Sequence, residues 1–530
     1  MRNFESPTRS TIVTTQAMAA TSHPTATLIA IQILNAGGNA IDAAIAACAA
    51  QCVVEPCSTG IGGDCFALLS LRGSDNILAY NGSGKTPAGL DFKEFQQGPD
   101  SKVERQSHWA ITIPGAIDAW TQLHKDHGKL PFKDLLAPAI KLAENGYAIA
   151  PRVHNDWALE EPLLSRNDTA KRIFLPKGHA PKVGEIHKQP ELGATLRQIA
   201  EQGREGFYNG PVAEDMVEYL QSIGGSHTLE DFANARGEYV TPIKTRFLDH
   251  DVFECPPNGQ GIIALMILNI LARFKDTEDA LSANRLHREI EATRLAYAAR
   301  DALLADPNVA KVPTDYLLSD ELADELAAKI NLEHAIQDLP EFASPVHRDT
   351  VYISIVDKDR NCVSFINSVF DSFGTGFVAP KSGVLFHNRG ESFSVDPTHP
   401  NCLAPNKRPL HTIIPGMLVK DGKAVMPFGV MGGYYQAMGH AHLLSKILDC
   451  KMDIQEAINL PRVMPVSGST DVEAEHTLPA EVTHELERRG FHIVPAETPI
   501  GGAQAIFIDW EKGTLLGGSE PRKDGCALGL

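Results

Sequence analysis

The chain is short of positive charge. Its 48 Lys and Arg stand against 66 Asp and Glu, a formal net charge of −18, and its basic residues form no concentrated run of the kind that tracks a phosphate backbone. Nucleic acid and anionic membrane are therefore poor partners. Long apolar runs are also missing. The first fifteen residues carry Arg2, Glu5 and Arg9 but no apolar segment of the length an export signal needs, and no later run is long enough to span a bilayer. These absences predict a cytoplasmic protein. The nine cysteines are odd in number, spread widely, and lack paired C-x-x-C spacings. Cys48, Cys52, Cys57 and Cys65 could be read as metal ligands, but His23 is their only nearby imidazole; buried free thiols are the better reading, and no metal is expected. No internal repeat, low-complexity tract or Pro/Gly/Ser linker divides the chain.

What is present describes a large soluble globular protein, 43% hydrophobic and 22% charged. At 530 residues it exceeds one ordinary core, so two to four domains or one unusually large layered fold are expected. Residues 25–51 have a helical pattern broken at Gly37-Gly38-Asn39, where one helix ends and another starts. Gly60-Ile61-Gly62-Gly63-Asp64 leads into a strand over 65–71. That glycine loop is no phosphate cradle, because a strand follows it and no Lys-Ser/Thr pair does. The middle third reads as mainly helical, with amphipathic candidates at 132–144, 192–202, 213–222, 283–304 and 320–330. From residue 350 onward the pattern changes to strands and tight turns, at 383–387, 412–419, 424–430, 505–510 and 514–516. Helix returns at 440–448 and 454–459. Helices first and strands late, with no linker between, point to interleaved layers.

The change of character falls at one residue. An irregular, polar stretch with Pro340 and Pro345 stops at Asp349, and Thr350 leads the alternating run Val351-Tyr352-Ile353-Ser354-Ile355-Val356. Asp357-Lys358-Asp359-Arg360-Asn361 is a turn, and Cys362-Val363-Ser364-Phe365-Ile366-Asn367-Ser368-Val369-Phe370 returns as the second strand of a hairpin. Cutting the bond between Asp349 and Thr350 would give the strand a free amine beside a hydroxyl, one residue supplying both base and nucleophile. On local pattern alone, the first residue of an ordinary strand is the favoured reading of Thr350.

Ordered motifs along nearly the whole chain decide between these. Thr21-Ser22-His23-Pro24, Gly37-Gly38-Asn39-Ala40-Ile41-Asp42, Gly60-Ile61-Gly62-Gly63-Asp64, Pro114-Gly115-Ala116, Gly206-Phe207-Tyr208-Asn209-Gly210, Pro256-Pro257, Thr350, Gly374-Thr375-Gly376, Pro405-Asn406-Lys407-Arg408-Pro409 and Gly432-Gly433 together resemble the γ-glutamyltransferase family of N-terminal-nucleophile hydrolases. The resemblance implies a four-layer αββα sandwich, one intertwined domain built from fragments 1–349 and 350–530 after self-cleavage between Asp349 and Thr350. These fragments would stay together as a heterodimer, with pairing of two such units left open. Thr350 would be the nucleophile and its α-amine, with an unperturbed pKa near 8, the base. Ser368, eighteen residues on, matches the family's second hydroxyl, and the Gly432-Gly433 amides match its oxyanion hole. Read without the family, Ser368 is a strand serine and Gly432-Gly433 a turn. No cofactor is implied.

The departures bear on substrate. Where γ-glutamyl-specific members hold the amino-acid head group with Asn, Gln, Asp and a serine pair, this chain has Phe370, Arg389, Ser392 and His411-Thr412, and the family's arginine from the large fragment has no match near residues 85–92. Arg389, His411 and Thr412 suit a carboxylate without an α-amine, as in the subgroup that contains oxamate amidohydrolase. Alternatively, Arg389 supports its loop and His411 is a packing histidine. The segment 397–405 is short where many relatives carry a lid, which favours water as the acceptor. The resemblance thus predicts hydrolysis of oxamate to oxalate and ammonia. The alternatives are γ-glutamyl compounds, an acyl amide such as a cephalosporin precursor, or, in another class, an uncleaved non-catalytic binding protein.

Overall fold

The computed structural model describes residues 8–98, 101–275, 278–339 and 350–530. Two seven-stranded antiparallel sheets lie face to face. One runs, in spatial order, Ile12–Thr14, Thr514–Ser519, Gly502–Asp509, Lys423–Met431, Gly416–Lys420, His250–Glu254 and Ile243–Phe247. The other runs Cys526–Gly529, Met18–Thr21, Val351–Val356, Cys362–Ser368, Asp64–Ser70, Ile77–Gly82 and Glu238–Val240. Each sheet takes strands from both sides of residue 350, so the layers interleave.

Strand periodicity separates three apolar layers. Tyr352, Val356, Ile366, Phe66 and Leu68 point into the space between the sheets and meet Met417, Val419, Met431 and Ile506. Their neighbours Ile353, Ile355, Val363 and Phe365 point the other way, into a core built with Ile29, Ile45 and Leu136 from the helices Pro24–Asn35, Ala40–Val54 and Phe132–Asn145. The opposite sheet buries Val252, Leu418 and Val430 against Ile263, Leu268 and Ile290 of Gly261–Leu271 and Ala283–Leu303. Helix, sheet, sheet, helix is the αββα order, and the alternation expected for the strand after Thr350 holds residue by residue.

The Gly37-Gly38-Asn39 break is real and has a local cause. Gly37 takes φ +96°, and Asn39 caps the second helix, its Oδ1 accepting from the Ile41 and Asp42 amides while the Asp42 carboxylate takes the Asn39 N–H at 3.1 Å. That helix, Ala40–Val54, is buried along its whole length and carries Cys48 and Cys52 as free thiols. Two expectations need correction. The middle third also supplies the strands Glu238–Val240, Ile243–Phe247 and His250–Glu254; the first two are edge strands with exposed polar positions, so their apolar alternation is weak. The stretch 383–387 forms no strand, only single bridges of Leu385 to Val378 and Phe386 to Gly62. Among the described residues no helix is long and apolar enough to cross a membrane.

Candidate active site

Register builds the first half of the site. Val351 pairs with Asn367, which sets Thr350 opposite Ser368, and Ser368 pairs in turn with Asp64 on the next strand. Paired residues on neighbouring strands point to the same face. Thr350, Ser368 and Asp64 therefore form one row across three strands, on the face that looks between the sheets, and all three are buried.

Thr350 Oγ1 and Ser368 Oγ are 3.1 Å apart. The direction of that bond follows from the other contacts of Ser368. Its oxygen accepts from the Phe370 amide at 2.9 Å and from Arg389 Nη2 at 3.5 Å. With both lone pairs engaged, the Ser368 hydroxyl proton is left to donate to Thr350 Oγ1. The Phe370 amide reaches back because Phe370 sits at φ +81°, a strained conformation for a bulky residue and one that marks functional turns.

The second half comes from loops. Arg389 opens the short turn Arg389–Ser392, is fully buried, and donates from Nη1 to Thr412 Oγ1 at 2.7 Å. Its guanidinium lies 4.0 Å over the Phe370 ring, which in turn meets the Tyr434 ring edge-on at 6.1 Å. Ser392 ties this turn down by donating to the carbonyls of Arg389 and Leu410, at 2.9 and 2.7 Å. Gly432 and Gly433 follow the strand Lys423–Met431 with φ of +116° and +54°, so glycine is needed at both positions. Gln260 joins them to the rest, its Nε2 donating to Thr412 O at 2.9 Å and Gly433 O at 3.0 Å. No backbone hydrogen bond to a described residue runs from the Gly432 or Gly433 amide.

His411 lies one residue from Thr412 but looks elsewhere. Its Nε2 donates to Asp64 Oδ2 at 2.9 Å, its Nδ1 receives the Ile413 amide at 3.4 Å, and its ring packs on Phe66 with centroids 4.7 Å apart. The other Asp64 oxygen accepts the amides of Gly84 and Gly115, each at 3.1 Å. Burial alone would push the Asp64 carboxyl up, but the His387 imidazole and the His411 hydrogen bond outweigh it and hold Asp64 at about 2. Burial, reinforced by the Arg389 guanidinium, pushes His411 down to about 3. At neutral pH the pair is thus a carboxylate accepting from a neutral imidazole.

Thr350, Ser368, Arg389 and Thr412 are therefore joined by direct hydrogen bonds, and Gly433 through Gln260. Asp349 lies outside the described residues. The sequence reading did not single out Asp64, His387 or Gln260. Asp64 closed a quoted motif, and its place opposite Ser368 would follow once the strands 64–70 and 362–368 are paired.

An αββα sandwich with a threonine leading an inner strand is the architecture of an N-terminal-nucleophile amide hydrolase. The chain belongs to the gamma-glutamyltranspeptidase family, whose model matches residues 26–530. It is 36% identical to the glutathione hydrolase-like YwrD proenzyme of Bacillus subtilis, over 98% of this chain and 99% of that one. It is 33% identical to the oxamate amidohydrolase proenzyme of Klebsiella pneumoniae, again over 98% and 99% of the two chains. Among solved structures, cephalosporin acylase from Bacillus halodurans superposes with a TM-score of 0.93 at 38% identity, covering 100% of this chain and 98% of that one. The protein is thus an enzyme, a hydrolase acting on amides. Overall identity does not set the oxamate subgroup apart from its neighbours.

Proposed function

We propose that the chain cuts itself between Asp349 and Thr350 and then works as an N-terminal-threonine amidohydrolase on a small carboxylated amide, with oxamate the leading candidate. The carrying observation is the Thr350–Ser368 hydroxyl pair at 3.1 Å with the buried Arg389 guanidinium on the far side of Ser368. In the first turnover the Thr350 hydroxyl attacks the Asp349 carbonyl, the peptide C–N bond breaks to leave an ester and a free α-amine, and water hydrolyses the ester to release the Asp349 carboxylate and regenerate the hydroxyl. In later turnovers that amine takes the Thr350 proton, the oxygen attacks the substrate amide carbon, and the Gly432 and Gly433 amides receive the developing oxyanion. Ammonia leaves with the proton, and water releases the acyl group as a dicarboxylate.

Arg389 and Thr412 would receive the substrate carboxylate, and His411, engaged by Asp64, would support them from behind. The segment 397–405 folds back tightly, with Ser394 bridged to Cys402 and Lys407 Nζ held by the carbonyls of Pro400 and Cys402 at 2.7 and 2.8 Å. So short a cover leaves water as the acceptor.

A second reading, a γ-glutamyl compound as substrate, draws on the 36% identity to a protein named glutathione hydrolase-like. Against it, an α-ammonium brought beside Arg389 would add a second cation to a desolvated pocket. Intact mass on wild type and Thr350→Ala tests the cleavage, with two fragments expected only from wild type. Ammonia release from oxamate, set against anilide release from a γ-glutamyl anilide, tests the substrate. Anilide turnover without oxamate turnover would replace the first reading by the second.

A further inference from the structure

Asp64 touches no reacting atom in the chemistry described so far, yet it stands in the same row as Thr350 and Ser368. It is fully buried, and its two oxygens face different structures. Oδ1 takes the Gly84 and Gly115 amides, each at 3.1 Å, and so anchors two loops. Oδ2 takes His411 Nε2 at 2.9 Å and has His387 Nδ1 at 3.8 Å. His387 is fixed from behind, its Nε2 donating to the Thr112 carbonyl at 2.9 Å.

His411 is the link from Asp64 to Arg389. Its backbone is pinned on both sides, the amide donating to Asn258 O at 2.9 Å and the carbonyl receiving Gln260 N at 2.8 Å. Its ring is pinned by Asp64. The next residue, Thr412, holds Arg389 Nη1 at 2.7 Å. The Asp64 bond to the His411 ring and the Thr412 bond to Arg389 thus hold two adjacent residues of one short segment. Charge points the same way. Asp64, His387, His411 and Arg389 are all fully buried, and the Asp64 carboxylate is the only anion in this group of four, facing the Arg389 cation across two neutral imidazoles. The Arg389 charge is one of the causes that hold the Asp64 carboxyl low.

We propose that Asp64 is a positioning residue for carboxylate recognition: acting through His411, it holds the His411-Thr412 dipeptide against Arg389 and balances the guanidinium charge, so that Arg389 meets the carboxyl end of a small amide beside Thr350. This rests on the carboxylated-amide reading. The competing account is that Asp64 only anchors the loops at Gly84 and Gly115.

Asp64→Asn and His411→Gln separate the two. The asparagine keeps an acceptor for the glycine amides but removes the charge and presents a donor to His411. His411→Gln removes the imidazole that Asp64 Oδ2 holds but leaves the Gly84 and Gly115 anchors on Oδ1 in place. Each variant is purified as folded enzyme, and kcat/KM is measured for oxamate and for oxamide, in which an amide replaces the carboxylate. The expected result is a fall of about tenfold or more in the oxamate-to-oxamide ratio for both variants, carried by KM. Should Asp64→Asn fail to fold, His411→Gln alone decides, since it does not touch the loop anchors. A ratio unchanged from wild type in His411→Gln overturns the proposal, as does a parallel fall in kcat on both amides with KM constant. A wild type that does not prefer oxamate to oxamide removes the carboxylated-amide reading and the proposal with it; a wild type that prefers it, with variants that keep the preference, removes the proposal alone.

Discussion

The site has two halves made in different ways. Thr350, Ser368 and Asp64 are placed by the hydrogen-bond ladder of an inner sheet, where a register slip of one residue would turn every side chain to the other face. Arg389, Thr412 and the Gly432-Gly433 pair are placed by loops, and those loops are held by one another's side chains: Arg389 on Thr412, Ser392 on Leu410, Gln260 on Thr412 and Gly433. The strand half is a property of the fold. The loop half is a property of a few side-chain pairs, which can be exchanged without moving the ladder. Nucleophile and partner hydroxyl can thus stay constant across a family while the groups that receive the substrate change.

The largest test of this division is at Thr350. Thr350→Ala removes the proposed nucleophile and should abolish both self-cleavage, read by intact mass, and amide hydrolysis, by about 10⁴-fold or more. Its melting temperature should stay near that of wild type, because the ladder persists. A cleaved or active Thr350→Ala protein would put the nucleophile elsewhere. The loop half is broken at Arg389. Arg389→Lys keeps the charge but loses the planar fork, and should cost about 100-fold in kcat/KM on a carboxylated amide, mainly through KM, while cleavage persists. If cleavage were lost instead, the halves would not be separable. Ser368→Ala falls between them. It leaves the Phe370 amide and Arg389 without their shared acceptor and frees the Thr350 hydroxyl to rotate, so kcat should fall about 10- to 100-fold with KM little changed.

Legibility in the sequence follows the same division. The strand half could be read directly: the period of two after Thr350, the polar turn at 357–361 and the return to Ser368 fix the hairpin, and the observed register agrees. The helix break at Gly37-Gly38-Asn39 was equally plain, though the capping box of Asn39 and Asp42 that starts the second helix was not singled out. The loop half was legible only as residue types. Arg389 and Thr412 could be named because they stand where relatives have other groups, but nothing local tells that the Arg389 guanidinium rests on Phe370. The same holds for His411, which turns to an aspartate 347 residues away in sequence. Edge strands such as Ile243–Phe247 were missed because one face meets solvent, and the stretch at 383–387 looked like a strand because its apolar residues are buried from two sides without a ladder.

Acid offers the gentlest way to sharpen the contrast, because it moves the fold before it moves the site. Burial pushes His23, His187, His227 and His287 down to about 4 in the native protein, against an ordinary value near 6.5. The unfolded chain therefore binds protons that the native chain refuses. The stabilisation from keeping these rings neutral is complete above pH 6.5 and is lost as pH falls toward 4, on the order of 3 kcal/mol for each ring. Asp64 and His411, at about 2 and about 3, keep their charge states over that range. Thermal melts at pH 7.5, 6 and 5 should show a steady fall in Tm, and His187→Gln should flatten the slope. Over the same range the oxamate-to-oxamide preference of the surviving folded enzyme should stay constant. A preference that drops near pH 6, in step with Tm, would mean that the loop half is held by a titrating group and not by the fixed Asp64–His411 pair.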